Sequence, residues 1–77
     1  MLELDTRGLL CPLPVLKLRK SLKALNTGDS VRLISTDPAA QIDVPHFCQE
    51  NGYELVSSDI DGDILTFIVR EGRDRKG

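Results

Sequence analysis

Seventy-seven residues with a formal charge of −2 and an apolar share of 40% make one domain with a single modest core, which excludes wholesale disorder. The acidic balance, with two Phe, one Tyr and no Trp, argues against direct nucleic-acid binding. No stretch reaches transmembrane length, no basic-then-apolar leader opens the chain, and two cysteines with one histidine form neither a disulfide framework nor a zinc pattern; the expectation is a cytoplasmic chain with reduced thiols, no metal, no cofactor and no membrane contact.

Leu2-Glu3-Leu4-Asp5 alternates apolar and polar and predicts a short half-buried strand. Thr6-Arg7-Gly8 breaks it, with Gly8 supplying either an unusual backbone conformation or room for a close neighbour. From Pro12 to Leu25 the pattern is helical: Val15, Leu18, Leu22 and Leu25 recur at steps of three and four, and Leu16 widens the stripe. Pro12 and Pro14 suit a first turn, where a missing N–H costs little. Lys17, Arg19, Lys20 and Lys23 lie on this helix with no acidic residue among them. Asn26-Thr27-Gly28-Asp29 closes it with turn chemistry.

Ser30-Val31-Arg32-Leu33-Ile34-Ser35 reads as a second strand, parallel to the first across a βαβ crossover. Asp37 can cap a helix and Pro38 fits its first position, yet Pro45 conflicts with a helix interior. The sequence therefore predicts a loose turn over 37–41 and a firm helix from Asp43 or Val44 to Asn51, ended by Gly52. Val44, Phe47, Cys48 and Asn51 share its one face. Tyr53 to Ile60 has strand character, and Asp61-Gly62 is a hairpin turn. Ile64-Leu65-Thr66-Phe67-Ile68-Val69 is continuously apolar and predicts a central strand buried on both faces or nearly so. Residues 1–71 read as the single domain and 72–77 as a flexible tail. The order β-α-β-α-β-β predicts an α/β two-layer sandwich, with both helices on one face of a four-stranded mixed sheet and the last strand antiparallel to the one before it.

Within this frame Cys11 sits at the start of the first helix. Unpaired first-turn N–H groups and the positive end of the helix dipole favour a thiolate there, which would make Cys11 a nucleophile. The competing reading is a small buried hydrophobe.

The run from Leu4 to Lys17, with Cys11-Pro12-Leu13-Pro14 at its centre, resembles the signature of the TusA/SirA-like small sulfur-carrier proteins, whose mark is Cys-Pro-X-Pro. The likeness continues through Gly28-Asp29, Asp37-Pro38, Asp43-Val44-Pro45, Phe47-Cys48 and Gly52, over about residues 2–71. The resemblance implies sheet order 1-2-4-3 with strand 4 antiparallel to the rest. It implies that Cys11 receives sulfane sulfur as a persulfide, in a sulfurtransferase acting as a protein-to-protein carrier. The donor would be a cysteine desulfurase or another sulfurtransferase, and the acceptor a further protein. Members serve tRNA thiolation, molybdenum-cofactor supply or sulfur oxidation. Leu10 and Leu13 stand where some tRNA-thiolation members carry charge. A non-catalytic regulatory or interaction module is the alternative.

Around Cys11 the motif residues Gly8, Pro12 and Pro14 restrict the loop, and Lys17, Arg19, Lys20 and Lys23 form a candidate docking face for an acidic partner. No general base is evident beside Cys11 in the sequence. His46 reads as a surface histidine and Cys48 as core, with a catalytic base and a resolving thiol as the respective alternatives. Asp59, Asp61 and Asp63 read as turn residues, lacking the spacing of a calcium loop.

Overall fold

The protein is described by a computed structural model that covers residues 1–26 and 28–71; the tail expected over 72–77 lies outside the described residues. Strand β1 (Leu2–Thr6) leads through the Cys11 loop into helix α1 (Leu13–Lys23) and back to β2 (Ser30–Ser35). Helix α2 (Ala40–Asn51), β3 (Glu54–Asp61) and β4 (Ile64–Arg70) complete the order. The sheet runs β1-β2-β4-β3, with β1 parallel to β2 and β4 antiparallel to both β2 and β3. Strand β4 therefore takes the central place that its apolar run implies.

Helix α1 forms where the three-and-four spacing predicts. Pro14, Leu18 and Leu22 are its buried residues, packed over β1 and β2. Leu18 and Leu22 meet Val31 and Leu33 of β2, Val44, Phe47 and Cys48 of α2, and Leu65, Phe67 and Val69 of β4 in one core. Each fully buried Leu or Val contributes about 1.5–3 kcal/mol through lost apolar hydration. Phe47 stacks on Tyr53 with ring centroids 5.5 Å apart, which ties α2 to the start of β3.

Two expectations need correction. Helix α2 starts at Ala40 and passes through Pro45. Of the expected loose turn over 37–41, residues 40–41 are helical and 38–39 form the turn that leads in: Ala40 N–H donates to Asp37 O at 2.9 Å, Gln41 N–H to Pro38 O at 3.1 Å and Asp43 N–H to Ala39 O at 2.9 Å. Pro45 sits in the second turn and removes one donor, while the same stretch buries Ala40, Val44, Phe47 and Cys48. Burial of that face offsets the lost bond.

Strand β4 is buried on one face only. Leu65, Phe67 and Val69 are buried, whereas Thr66 and Ile68 are half-buried and Ile64 is exposed. Both helices pack on the same side, so the opposite face carries a mixed surface with Arg32, Ile34, Ser57 and Asp59 around Thr66 and Ile68. Continuous apolarity alone does not separate a strand covered on both sides from a central strand in a two-layer fold. A bulge between Leu55 and Ser57 bends edge strand β3.

The C-terminal ends of the parallel pair β1 and β2 lie side by side, through Thr6 opposite Ser35. Both residues are fully buried, and Thr6 Oγ1 donates to Ile34 O at 2.6 Å. The loops that leave these two ends carry Cys11 and Asp37. In α/β sheets this edge is where functional groups gather. Among the described residues no helix is long and apolar enough to cross a membrane.

Candidate functional site

Cys11 lies one residue before Pro12, which caps α1, and its side chain is exposed. The loop is folded by short-range bonds: Leu9 N–H donates to Thr6 O at 3.1 Å and Leu13 N–H to Leu10 O at 2.9 Å. Before it, Arg7 clasps Asp5 through Nε and Nη2, at 2.9 and 2.7 Å, and holds the Asp5 carboxyl down at about 2. Gly8 has φ +85°, and a Cβ there would meet nothing within 4 Å. Its role is thus backbone conformation and not space. Its N–H donates to Thr36 Oγ1 at 2.9 Å, tying the loop to the end of β2.

Two carboxylates hold Cys11. Its N–H donates to Asp37 Oδ2 at 2.6 Å, and its thiol donates to Asp43 Oδ2 at 2.8 Å. Asp37 is fixed in turn: its N–H donates to Ser35 Oγ at 3.1 Å, and its Oδ1 accepts from Ala39 N–H at 3.1 Å. Asp37 therefore caps the turn that opens α2, as the sequence predicts, and also anchors the cysteine loop. Asp43 reaches Cys11 from the first turn of α2, which exists because the helix begins at Ala40.

This arrangement corrects the electrostatic expectation for the thiol. The Asp43 hydrogen bond pushes the Cys11 thiol above its ordinary value, and reduced solvation and the charges of Asp43 and Asp37 push the same way. Ionisation would break the bond to Asp43 and set a thiolate against a carboxylate. The helix start offers little in return: Pro12 and Pro14 carry no N–H, and the N–H of Leu13 is used by Leu10. The arrangement therefore favours the thiol over the thiolate.

The space among Cys11, Pro14, Val15, Asp37, Ala40 and Asp43 is narrow and has no room for a water-sized guest. Next to it, an open cleft of ≈ 280 Å³ that also borders Cys11 is lined by Val15, Phe47, Asp43, His46 and Glu50.

His46 is exposed, with Nε2 3.4 Å from Glu50 Oε2, and it makes no hydrogen bond to Cys11 among the described residues. Cys48 is buried against the core, and burial pushes its thiol up to about 11. The two cysteines are free. Lys17, Arg19, Lys20 and Lys23 are exposed on α1, and among the described residues none of them forms an ion pair. They flank Leu13 and Leu16, which are 45% and 48% exposed, so the helix presents an apolar strip within a basic rim. Asp59 and Asp61 lie on β3 and Asp63 in the hairpin turn, all exposed; among the described residues no metal-ligand cluster forms.

Asp43 is the site residue that the local pattern misses. It is 32 residues from Cys11 in sequence and reads there only as a helix start. Its one sequence signal is its place in Asp43-Val44-Pro45, within the family resemblance.

A family model described as "Sulfurtransferase TusA" matches residues 2–71. The "Sulfur carrier protein TusA" of Allochromatium vinosum is 38% identical over 69 residues, which cover 90% of this chain and 91% of that protein. The crystal structure of a SirA-like protein from Desulfitobacterium hafniense superposes with a TM-score of 0.81, over 95% of this chain and 100% of that one. Their sequence identity is 20%, so that likeness speaks for the fold alone.

Proposed function

The chain belongs to the TusA sulfurtransferase family, and on that premise we propose that it relays sulfane sulfur between proteins as a persulfide on Cys11. The observation that carries this reading is the contrast between its two cysteines. Cys11 is exposed on a braced loop at the end of the parallel strands, and Cys48 is buried in the core, out of a partner's reach.

In loading, Cys11 sulfur attacks the outer sulfur of a donor persulfide. A new S–S bond forms at Cys11 and the donor's S–S bond breaks, with the electron pair passing to the donor's inner sulfur. The proton of the Cys11 thiol ends on that sulfur, so the donor leaves as a thiol. Unloading is the same exchange with Cys11 as donor.

Gly8 sets the turn, Pro12 and Pro14 stiffen the step into α1, and Asp37 pins the Cys11 amide. The partner faces α1: Leu10, Leu13 and Leu16 supply apolar contact, and Lys17, Arg19, Lys20 and Lys23 steer an acidic surface. The partners in this reading are a donor such as a cysteine desulfurase and a downstream acceptor in tRNA thiolation, molybdenum-cofactor supply or sulfur oxidation. A reducing compartment, the cytoplasm, suits a carrier with free thiols.

The test is intact mass after incubation with a cysteine desulfurase and cysteine. The carrier gains one sulfur, about 32 Da, removable by reductant. Cys11→Ala abolishes the gain and Cys48→Ala keeps it. A wild-type protein without a reducible gain overturns the reading.

A further inference from the structure

Resting on the carrier reading of Cys11, we propose that Asp43 is a positioning residue that seats the empty thiol and turns the loaded sulfur outward. One carboxylate then distinguishes the empty carrier from the charged one.

The thiol donates to Asp43 Oδ2 at 2.8 Å, and the backbone beneath it is fixed by Asp37 at 2.6 Å. The narrow space beside this contact, among Pro14, Val15, Asp37 and Ala40, admits no water-sized guest. A second sulfur stands about 2.05 Å beyond the first and finds no space on that side.

Chemistry opposes the seat as well. An ionised carboxylate only accepts hydrogen bonds. A perthiol is a stronger acid than its thiol, so the charged form is an anion with no proton to give. The groups that face Cys11 are Asp43, His46 and Glu50 from α2 and Asp37 from the β2–α2 loop, while α1 contributes only uncharged Pro14 and Val15. The two carboxylates nearest Cys11 repel a persulfide anion, and Glu50 is engaged by His46 at 3.4 Å. The open cleft, lined by Val15 and Phe47 together with Asp43, His46 and Glu50, is the space left to it.

The same contact protects the empty carrier. A seated, protonated thiol is a poor target for alkylating agents and peroxide, because the thiolate is the reactive form. The donor must break the Asp43 contact before transfer, which confines reaction to the docked complex.

The experiment has two arms, run on the full chain with folding checked by circular dichroism. In the first, the rate of Cys11 alkylation by iodoacetamide is followed against pH. The wild-type midpoint lies above that of a free cysteine peptide. Asp43→Asn lowers the midpoint and speeds alkylation several-fold near neutral pH, and Asp43→Glu moves it back toward wild type. In the second, protein loaded with inorganic polysulfide is treated with neutral iodoacetamide at a pH where the persulfide of both proteins is an anion, and the outer sulfur displaces iodide. Wild type is labelled readily, and Asp43→Asn more slowly, because the outer sulfur is no longer held outward.

A wild-type midpoint at or below that of the peptide overturns the seat, whether or not the variants fold. An unchanged labelling rate of the outer sulfur in folded Asp43→Asn overturns the outward turn. Wild type that takes up no sulfur but titrates as expected overturns the carrier reading and the outward turn together, and leaves the seat standing.

Discussion

The Asp37 carboxylate bridges two segments: Oδ2 accepts the Cys11 amide at 2.6 Å while Oδ1 accepts the Ala39 amide at 3.1 Å. One side chain thus joins the cysteine loop to the turn that starts α2. Asp37→Ala removes both bonds and leaves two amides to find other partners. The expected loss is about 2 kcal/mol, read as a lower urea midpoint with an unchanged slope. Loading of Cys11 slows in the same variant because the loop is no longer pinned. A variant as stable as wild type contradicts this assignment.

Gly8 is held at φ +85° with open space where a side chain would stand. Gly8→Ala therefore meets no clash, and its cost is conformational, about 1–2 kcal/mol. Gly8→Asn costs less, since Asn tolerates the left-handed region. Urea unfolding of the two variants tests the order; equal losses would point to a steric cause instead.

Cys48 links stability to alkaline pH. Its thiol rises from an ordinary value of 9.0 to about 11 in the folded chain, through burial. Below pH 9 folded and unfolded chains hold this proton equally, and the contribution is fully present. Between about 9 and 11 the unfolded chain loses the proton first, so stability falls, by up to about 3 kcal/mol. Cys48→Ala flattens that slope and itself costs about 1 kcal/mol in packing. Unfolding free energies at several pH values from 8 to 11 decide it.

The cations on α1 act at a distance. Lys17→Glu combined with Lys20→Glu leaves the urea midpoint within about 0.5 kcal/mol of wild type, because both side chains are exposed and unpaired among the described residues. The association rate with an acidic sulfur donor falls, and its dependence on salt weakens. Stopped-flow mixing at two ionic strengths separates this from a change in Cys11 chemistry, which would alter the rate within the docked complex.

Short-range patterns in the chain specify its elements. The spacing of Val15, Leu18 and Leu22 makes α1 amphipathic, the alternation of Leu2 and Leu4 makes β1, and Asp61-Gly62 turns β3 into β4. Cys11 stands out for the same reason, because the two prolines after it mark a helix start within a few residues. Such signals depend on backbone preferences and on which face of one element is apolar, and both act over a single turn or pleat.

The tertiary structure decides what depends on two elements at once. Pro45 conflicts with a helix taken alone, and the core that receives Ala40, Val44 and Phe47 outweighs it. The apolar run of β4 is silent on whether one face or two will be covered, since that is settled by where both helices land. Asp43 meets the Cys11 thiol across 32 residues because the crossover sets the end of β1 beside the start of α2. A hydrogen bond of that kind has no local periodicity to reveal it. The sequence by itself marks the cysteine; the fold places the Asp43 carboxylate within hydrogen-bond reach of it, which favours its thiol form.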